Sequence, residues 1–179
     1  LQKWLARAKD DQLLHPAVAY GYFPCGRDGN AVVVFNPEGG AELGRFDVPR
    51  QRSGNRYCIA DFFRDLKEGQ PCDVLPMQAV TMGEEASRFS QELFRQDAYS
   101  DYLFFHGLAV QMAEALAEWT HARIRRECGF SDPEAMPLRD IFAQRYRGSR
   151  YSFGYPACPN VADSRQQLEW LQADRIGLT

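Results

Sequence analysis

Five segments of the chain carry helix signals, either apolar residues at intervals of three and four or residues that favour helix ends. The longest segment, residues 101–128, is predicted to be a helix that ends at Cys128-Gly129. Its predicted buried face consists of Leu108, Met112, Ala115, Trp119 and Ala122. Residues 1–14 predict a helix that is ended by His15-Pro16 and has the apolar face Leu1, Trp4, Leu5 and Ala8. The run after Gly83 predicts a helix with the apolar face Ala86, Phe89, Leu93 and Phe94. Two further helices are predicted over 137–146 and over 164–175, the second capped by Asp163 or Ser164.

Apolar and β-branched runs predict four strands. Residues 17–25 and 31–35 flank the turn sequence GRDGN, an arrangement typical of a hairpin. Residues 41–51 predict a third, more exposed strand, and 73–83 predict another, with Pro76 at an end or on an edge. Residues 56–65 fit either a strand or a short helix. The chain is therefore predicted to be one α+β domain, residues 1–179, with an antiparallel sheet flanked by helices.

The composition is that of a globular domain with a sizeable core. Apolar residues make up 45% of the 179 residues and charged residues 25%. The formal net charge is −3, and the sequence has no Lys/Arg block, so neither nucleic acid nor an acidic membrane surface is an expected partner. No apolar run in the sequence is long enough to cross a bilayer.

The five cysteines are scattered and never form a CxxC pair; they are Cys25, Cys58, Cys72, Cys128 and Cys158. This spacing disfavours a zinc knuckle and a disulfide scaffold, and it favours reduced thiols in a cytoplasmic protein. Cys158 lies in an irregular segment, where a catalytic cysteine would need a neighbouring base. Because no histidine is near it in the sequence, a packed structural cysteine is the favoured interpretation.

Glu118 and His121 form an ExxH pair on the longest predicted helix, the spacing found in di-iron bundles. Such a site needs a second ExxH pair and two further glutamates, and the other histidines, His15 and His106, stand in no such frame. A solvated helix face is therefore the favoured interpretation. The sequence also lacks GxSxG, Walker A and dinucleotide-binding motifs, so neither a metal site nor a catalytic residue is predicted.

The segment RGSRYSFGYPACPN, residues 147–160, has no helical or strand period. An exposed connection between helices is one interpretation. However, its three aromatic residues are costly to expose, its glycines allow close backbone approach, and its prolines reduce the entropy lost on binding. Arg150 can hold a carboxylate through two parallel hydrogen bonds. These features suit a small ligand with a carboxylate at one end and a flat ring at the other.

The same segment closely resembles the R-x-x-x-G-Y-P-A-C-P signature of the activation domain of cobalamin-dependent methionine synthase. The segments RYCIADFF and FFHGLAVQMAEALAEWTHARIRRECGF, and the last helix with IGLT, agree with this family. The resemblance covers nearly the whole chain. It implies a twisted antiparallel sheet flanked by helices.

The resemblance also implies a function. The ligand is S-adenosylmethionine, which remethylates cobalamin after an electron from a flavodoxin-type donor has reduced the inactive cob(II) form. The cobalamin is carried by a neighbouring domain of the same polypeptide and is not bound by this chain alone. The chain is thus expected to be a cytoplasmic reactivation module within a methyltransferase of methionine biosynthesis.

Five ligand-binding residues follow from the resemblance. Arg150 corresponds to the arginine that holds the methionine carboxylate, Ser152 and Gly154 to positions that meet the ligand largely through the backbone, and Tyr155 to the tyrosine beside it. Glu114 corresponds to an acidic position near the sulfonium, and a buried cation does need a nearby anion. The alternative for Glu114 is an ordinary exposed carboxylate on a helix.

Some features of the family are expected to lie outside residues 1–179. These are an aspartate before the sheet, a tyrosine on a strand after the last helix, and the DxHxxG cobalamin motif. The chain is therefore expected to be a fragment of a multidomain enzyme, truncated at both ends, which does not turn over alone. The alternative is a stand-alone module that binds S-adenosylmethionine or another carboxylate-bearing ligand without catalysis.

Overall fold

The computed structural model describes residues 2–133 and 136–179, so Leu1 of the predicted first helix lies outside the described residues. The chain folds into two compact units. Unit 1 comprises residues 1–19, 78–148 and 172–179, and unit 2 comprises residues 20–77 and 149–171. Each unit has a hydrophobic cluster of its own. The single domain predicted over residues 1–179 stays a prediction.

Helices and a four-stranded sheet make up the fold, which confirms the predicted α+β class. The strands are β1 (Ala17–Asp28), β2 (Ala31–Phe35), β3 (Glu42–Asp47) and β4 (Asp73–Thr81). The α-helices are α1 (Gln2–Asp10), α2 (Glu84–Arg95), α3 (Tyr99–Glu127), α4 (Leu138–Phe142) and α5 (Asp163–Trp170). Two short 3-10 turns cover Ile59–Phe62 and Ala173–Ile176.

The sheet has the order β3-β2-β1-β4, and β2 pairs antiparallel with both β1 and β3. Asp28 pairs with Ala31 across the predicted hairpin turn, so the hairpin is confirmed. Every residue of β2 is buried, because a run of valines can pack on both faces of the sheet. β3 is mostly exposed, as predicted, and β4 is an edge strand, which explains why Pro76 is tolerated within it.

Aromatic packing forms the core of unit 1. Trp4 of α1 lies 5.8 Å from Phe105 of α3, and Phe89 of α2 lies 4.8 Å from Phe105, both measured between ring centroids. Buried Leu93 and Leu108 belong to the same cluster. Most of the apolar faces predicted for α1 and α2 therefore pack against the first half of α3, whereas Leu5 and Phe94 of those faces are exposed.

The second half of α3 buries a different face from the predicted one. Trp119 is 60% exposed and Ala115 is also exposed, so this part of the predicted face was wrong. The buried stripe instead consists of Ala117, Thr120, His121, Ile124 and Arg125. Because three of these residues are polar, apolar spacing could not mark the stripe.

Several helix ends also differ from the prediction, including the end of α5 at Trp170. α1 ends at Asp10 rather than at His15-Pro16, because Gln12 adopts a left-handed conformation (φ 52°) and the Leu13 amide donates to the Ala8 carbonyl. α4 is shorter than 137–146. The prediction that Asp163 or Ser164 caps α5 was wrong, since Asp163 is already helical and the capping position is Ala162.

A buried arginine organises the polar stripe of α3. The Arg125 side chain is 2% exposed and forms a two-pronged salt bridge with Asp132. Its Nη1 donates to His121 Nδ1 at 2.7 Å, and its guanidinium carbon lies 3.7 Å from the centre of the Tyr146 ring. Since arginine has no acceptor, His121 Nδ1 must accept, which places the histidine proton on Nε2.

Glu118 joins this cluster by accepting a hydrogen bond from the Tyr146 hydroxyl at 3.1 Å. His121 is buried and Glu118 is partly buried. The interpretation of this ExxH pair as a solvated helix face was therefore wrong. The two residues serve to satisfy a buried charge.

Replacing Arg125 with methionine should destabilise the chain by about 3 kcal/mol, because Asp132 and His121 would lose the donor that they share. Methionine keeps a long side chain and a similar helix propensity. Urea unfolding followed by circular dichroism gives the free energy of unfolding.

The matched control is Arg123→Met, on the same helix. Arg123 pairs with Glu127 at the surface, so its loss should cost less than about 0.5 kcal/mol. Equal effects of the two substitutions would contradict a structural role for the buried cluster.

Candidate functional site

Residues 149–160 of the irregular segment lie in unit 2 and are called the loop. Two residues of the loop point into the core of that unit and hold it in place. Phe153 packs on Phe46 of β3 at a centroid distance of 5.1 Å, and Cys158 is 5% exposed. Both belong to a cluster with Cys25 of β1, Val32 of β2 and other buried residues. The segment is therefore irregular in backbone but fixed in position.

Between these anchors the chain closes a small ring. The Gly154 amide donates to the Cys158 carbonyl, and the Cys158 amide donates to the Tyr155 carbonyl, each at 2.9 Å. The Cys158 thiol donates to the Ser152 carbonyl, also at 2.9 Å. These bonds supply the partners that a loop without strand neighbours needs for its backbone.

Gly154 has a conformation that other residues rarely adopt. Its φ is +94°, and a Cβ built there would lie 3.2 Å from Val161 Cγ2. Both the backbone angle and the space favour glycine at this position. The sequence signature G-Y-P therefore has a local structural reason as well as a functional interpretation.

The outer side of the loop borders an aromatic cavity of about 1070 Å³. The aromatic residues that line it are Tyr57, Phe62, Tyr151 and Tyr155. Phe62 and Tyr155 are 65% and 67% exposed, and exposed aromatic side chains concentrated in one place are typical of a binding surface. Pro156 and Ala157 complete the part of the wall that comes from the loop.

A salt bridge between Arg50 and Asp61 supports the part of the cavity wall that comes from residues 49–62. Arg50 lines the cavity and donates five hydrogen bonds, to Asp61, Asn30 and the Arg56 carbonyl. The hydrogen bonds from Arg50 lower the pKa of Asp61 to about 2. Asp61 therefore stays ionised at neutral pH, and Arg50 is held as a rigid planar group.

The predicted ligand-binding residues fall in both units. Arg150, Ser152, Gly154 and Tyr155 all lie in the loop of unit 2, whereas Glu114 lies in unit 1, exposed on α3. Tyr155 lines the aromatic cavity. Arg150 is half-buried, and Ser152 and Gly154 are exposed; these three residues are outside the cavity lining.

The cavity also has residues that sequence reasoning missed. Arg50, Tyr57 and Phe62 line it; residues 56–65 were predicted to be either a strand or a short helix, and Arg50 lies in the predicted strand 41–51. The observed 3-10 turn presents Phe62 outward and lets the Asp61 carboxylate reach Arg50. Two adjacent aromatic residues in a segment without a clear period, RYCIADFF, were the available signal.

The buried thiols of unit 2 are structural in character. Burial raises the pKa of Cys158, and it raises the pKa of Cys25 to about 12. Both thiols therefore stay protonated at neutral pH and are poor nucleophiles. This agrees with the interpretation of Cys158 as a packed residue.

Within residues 2–133 and 136–179, the side chains form no group of three or more potential metal ligands. A search of the helices over the same residues finds none with the length and apolar character needed to cross a membrane.

Comparison with known proteins identifies a matching family. The family model described as "Vitamin B12 dependent methionine synthase, activation domain" matches residues 1–179. Methionine synthase from Mycobacterium tuberculosis is 46% identical over 191 residues, and that from Mycobacterium leprae is 47% identical over 193 residues. Both alignments cover all of this chain but only 16% of the relative, so the chain spans about one sixth of their length.

A solved structure is also similar. The crystal structure of the MetH reactivation domain bound to AdoHcy superposes with a TM-score of 0.81 and 25% sequence identity. The match covers 99% of this chain and 59% of the solved chain.

Gly154→Ala should destabilise the chain by about 1–3 kcal/mol, because alanine is strained at positive φ and its methyl group would press on Val161. Thermal or urea unfolding measures the effect. The matched control is Gly39→Ala, where an added Cβ would meet no atom of the described residues within 4 Å. The control should change stability by less than about 0.5 kcal/mol; a similar loss in both variants would contradict the strain argument.

Proposed function

Because the chain belongs to the family of vitamin B12 dependent methionine synthase activation domains, we propose that it binds S-adenosylmethionine and serves the reductive reactivation of cobalamin. The ligand supplies the methyl group for this remethylation. The observation that carries the proposal is the loop around Gly154 and Tyr155, which bears the family signature and borders an aromatic cavity. The similar reactivation domain bound to AdoHcy gives further support.

The residues of the loop suit this ligand chemically. An arginine can hold the carboxylate of the methionine part through paired hydrogen bonds, which is the role assigned to Arg150. Ser152 and Gly154 are exposed, and each residue has a second backbone polar group, besides the one bonded to Cys158, that could meet a ligand without a side chain. Tyr155 brings an aromatic face to the same loop, and a purine ring stacks favourably on such a face.

The proposal concerns a module within a larger enzyme. The chain aligns along its whole length with one sixth of two methionine synthases, which favours this role over a stand-alone binding protein. Its partners would be the cobalamin-carrying domain of the same polypeptide and a flavodoxin-type electron donor, in the cytoplasm. Methyl transfer to homocysteine belongs to the whole enzyme in this proposal, and turnover by the chain alone is not expected.

Isothermal titration calorimetry tests whether S-adenosylmethionine binds. We expect saturable heat with the folded chain, and competition by S-adenosylhomocysteine, which shares the carboxylate and the adenosine. Absence of heat at millimolar ligand, with folding verified by circular dichroism, would overturn the proposal.

Arg150→Ala should weaken S-adenosylmethionine binding by about 1.5–3 kcal/mol, the usual contribution of a hydrogen bond to a charged group. Arg150→Lys should recover only part of this loss, because an ammonium group cannot form the paired geometry. The dissociation constants come from the same calorimetry.

The matched control is Arg139→Ala, since the Arg139 side chain is 84% exposed on α4 and forms a long ion pair with Asp140. Its effect on affinity should be negligible. A lysine variant that binds as tightly as the parent would refute the paired hydrogen bonds to Arg150.

Glu114→Gln should reduce the preference for S-adenosylmethionine over S-adenosylhomocysteine by about fivefold, because only the first carries a positive sulfonium. Affinity for the neutral thioether should barely change. The quantity to measure is the ratio of the two dissociation constants in parent and variant.

Glu92→Gln on α2 provides a control for removing an exposed helical carboxylate and should leave the ratio unchanged. If the ratio in Glu114→Gln equals that of the parent, Glu114 acts as an ordinary surface carboxylate.

A further inference from the structure

Cys158 forms hydrogen bonds with three of the four loop residues that the resemblance assigns to the ligand, namely Ser152, Gly154 and Tyr155. Its thiol donates to the Ser152 carbonyl, its carbonyl accepts from the Gly154 amide, and its amide donates to the Tyr155 carbonyl, each at 2.9 Å. The resemblance assigns no role to Cys158 itself. Because Cys158 takes part in all three of these hydrogen bonds, its position indicates a role in holding the loop.

The side chain of Cys158 is immobilised by its surroundings. It is 5% exposed and packs in the cluster that contains Cys25, Val32 and Phe153. Burial raises its pKa, so the thiol keeps its proton at neutral pH and can act as a donor. A buried donor attached to a fixed backbone holds its acceptor in one place.

The acceptor of the thiol hydrogen bond is the carbonyl of Ser152, which is a predicted ligand contact. A peptide group is planar, so fixing the Ser152 carbonyl also fixes the direction of the Phe153 amide. Ser152 is expected to meet the ligand largely through its backbone, and therefore the orientation of this peptide determines how well the ligand is bound. Phe153 anchors the far side of the same peptide against Phe46.

We propose that Cys158 is a positioning residue for S-adenosylmethionine, acting through its thiol hydrogen bond to the Ser152 carbonyl. This inference rests on the proposed function. It assigns the thiol a role in ligand affinity that is separate from its contribution to packing. No covalent or redox chemistry of the sulfur is involved.

Two substitutions separate positioning from packing. Cys158→Ser keeps a donor that can reach the Ser152 carbonyl, whereas Cys158→Ala removes it. A hydroxyl is more costly to bury among apolar residues than a methyl group, so the serine variant should be at least as destabilised as the alanine variant. A purely structural role therefore predicts that serine binds ligand no better than alanine.

The positioning role predicts the opposite order of affinities. Cys158→Ser should bind S-adenosylmethionine within about twofold of the parent, and Cys158→Ala about five- to tenfold more weakly, the loss expected for one hydrogen bond. Calorimetry should be done well below the midpoint of thermal unfolding, so that all variants are folded. The free energies of unfolding are measured in parallel.

The matched controls are Cys25→Ser and Cys25→Ala. Cys25 is fully buried in the same cluster but lies on β1, outside the loop. These variants should lose stability without a change in ligand affinity. If Cys158→Ala binds like the parent, or if affinity follows stability in both pairs, the positioning role is refuted.

The failure of this inference is distinguishable from failure of the proposed function. If the parent chain binds no S-adenosylmethionine, the proposed function fails and the role of Cys158 falls with it. If the parent binds and the two Cys158 variants have equal affinities, only the positioning role fails.

Discussion

The candidate site depends on one constraint, which is that an irregular segment must find partners for its own backbone groups. The loop meets it by burying Phe153 and Cys158 in the core of unit 2 and by closing hydrogen bonds between them. The positive φ of Gly154 is the conformational requirement of this closure. Because the anchors point inward, the neighbouring residues Ser152, Gly154 and Tyr155 remain exposed. The loop is therefore ordered by contacts within the chain, and an ordered loop loses less entropy on binding than a flexible one.

Both units use a locked arginine to support irregular backbone. In unit 1, Arg125 joins α3 to Asp132 and to the ring of Tyr146. In unit 2, Arg50 joins the segment after β3 to Asp61, in the turn that presents the cavity aromatics. In each case a planar guanidinium meets several acceptors at once, which a lysine could not do. Truncating Arg125 would remove the charged partner of Asp132, and truncating Arg50 would remove two hydrogen bonds to Asp61 while leaving the one from Arg27.

The sequence predicted most of the regular structure and little of the polar packing. The hairpin, the edge position of Pro76 and the helix over 101–128 follow from local patterns and are confirmed. The buried face of the second half of α3 could not be predicted from apolar spacing, because it includes Arg125. This arginine can be buried only because Asp132 supplies its counter-charge. The loop signature marked residues 147–160 as a candidate binding segment. The part of the cavity wall from residues 49–62 is distant from this segment in sequence and is brought to it by tertiary contacts. Its contribution could therefore not be inferred from spacing.

The distribution of titratable groups indicates what kind of work this chain can do. The carboxylate of Asp61 is engaged by Arg50, and that of Asp132 by Arg125, while Cys158 is kept protonated by burial. These groups stabilise the fold and are poorly placed to transfer protons during a reaction. The loop instead offers exposed backbone and aromatic faces, which recognise a ligand without changing their own protonation. Such a site controls affinity and orientation, and it suits a ligand like S-adenosylmethionine that carries its own activated methyl group. Under the proposed function, the loop would only have to hold this ligand in a fixed orientation, and the packing of Phe153 and Cys158 fixes the loop itself.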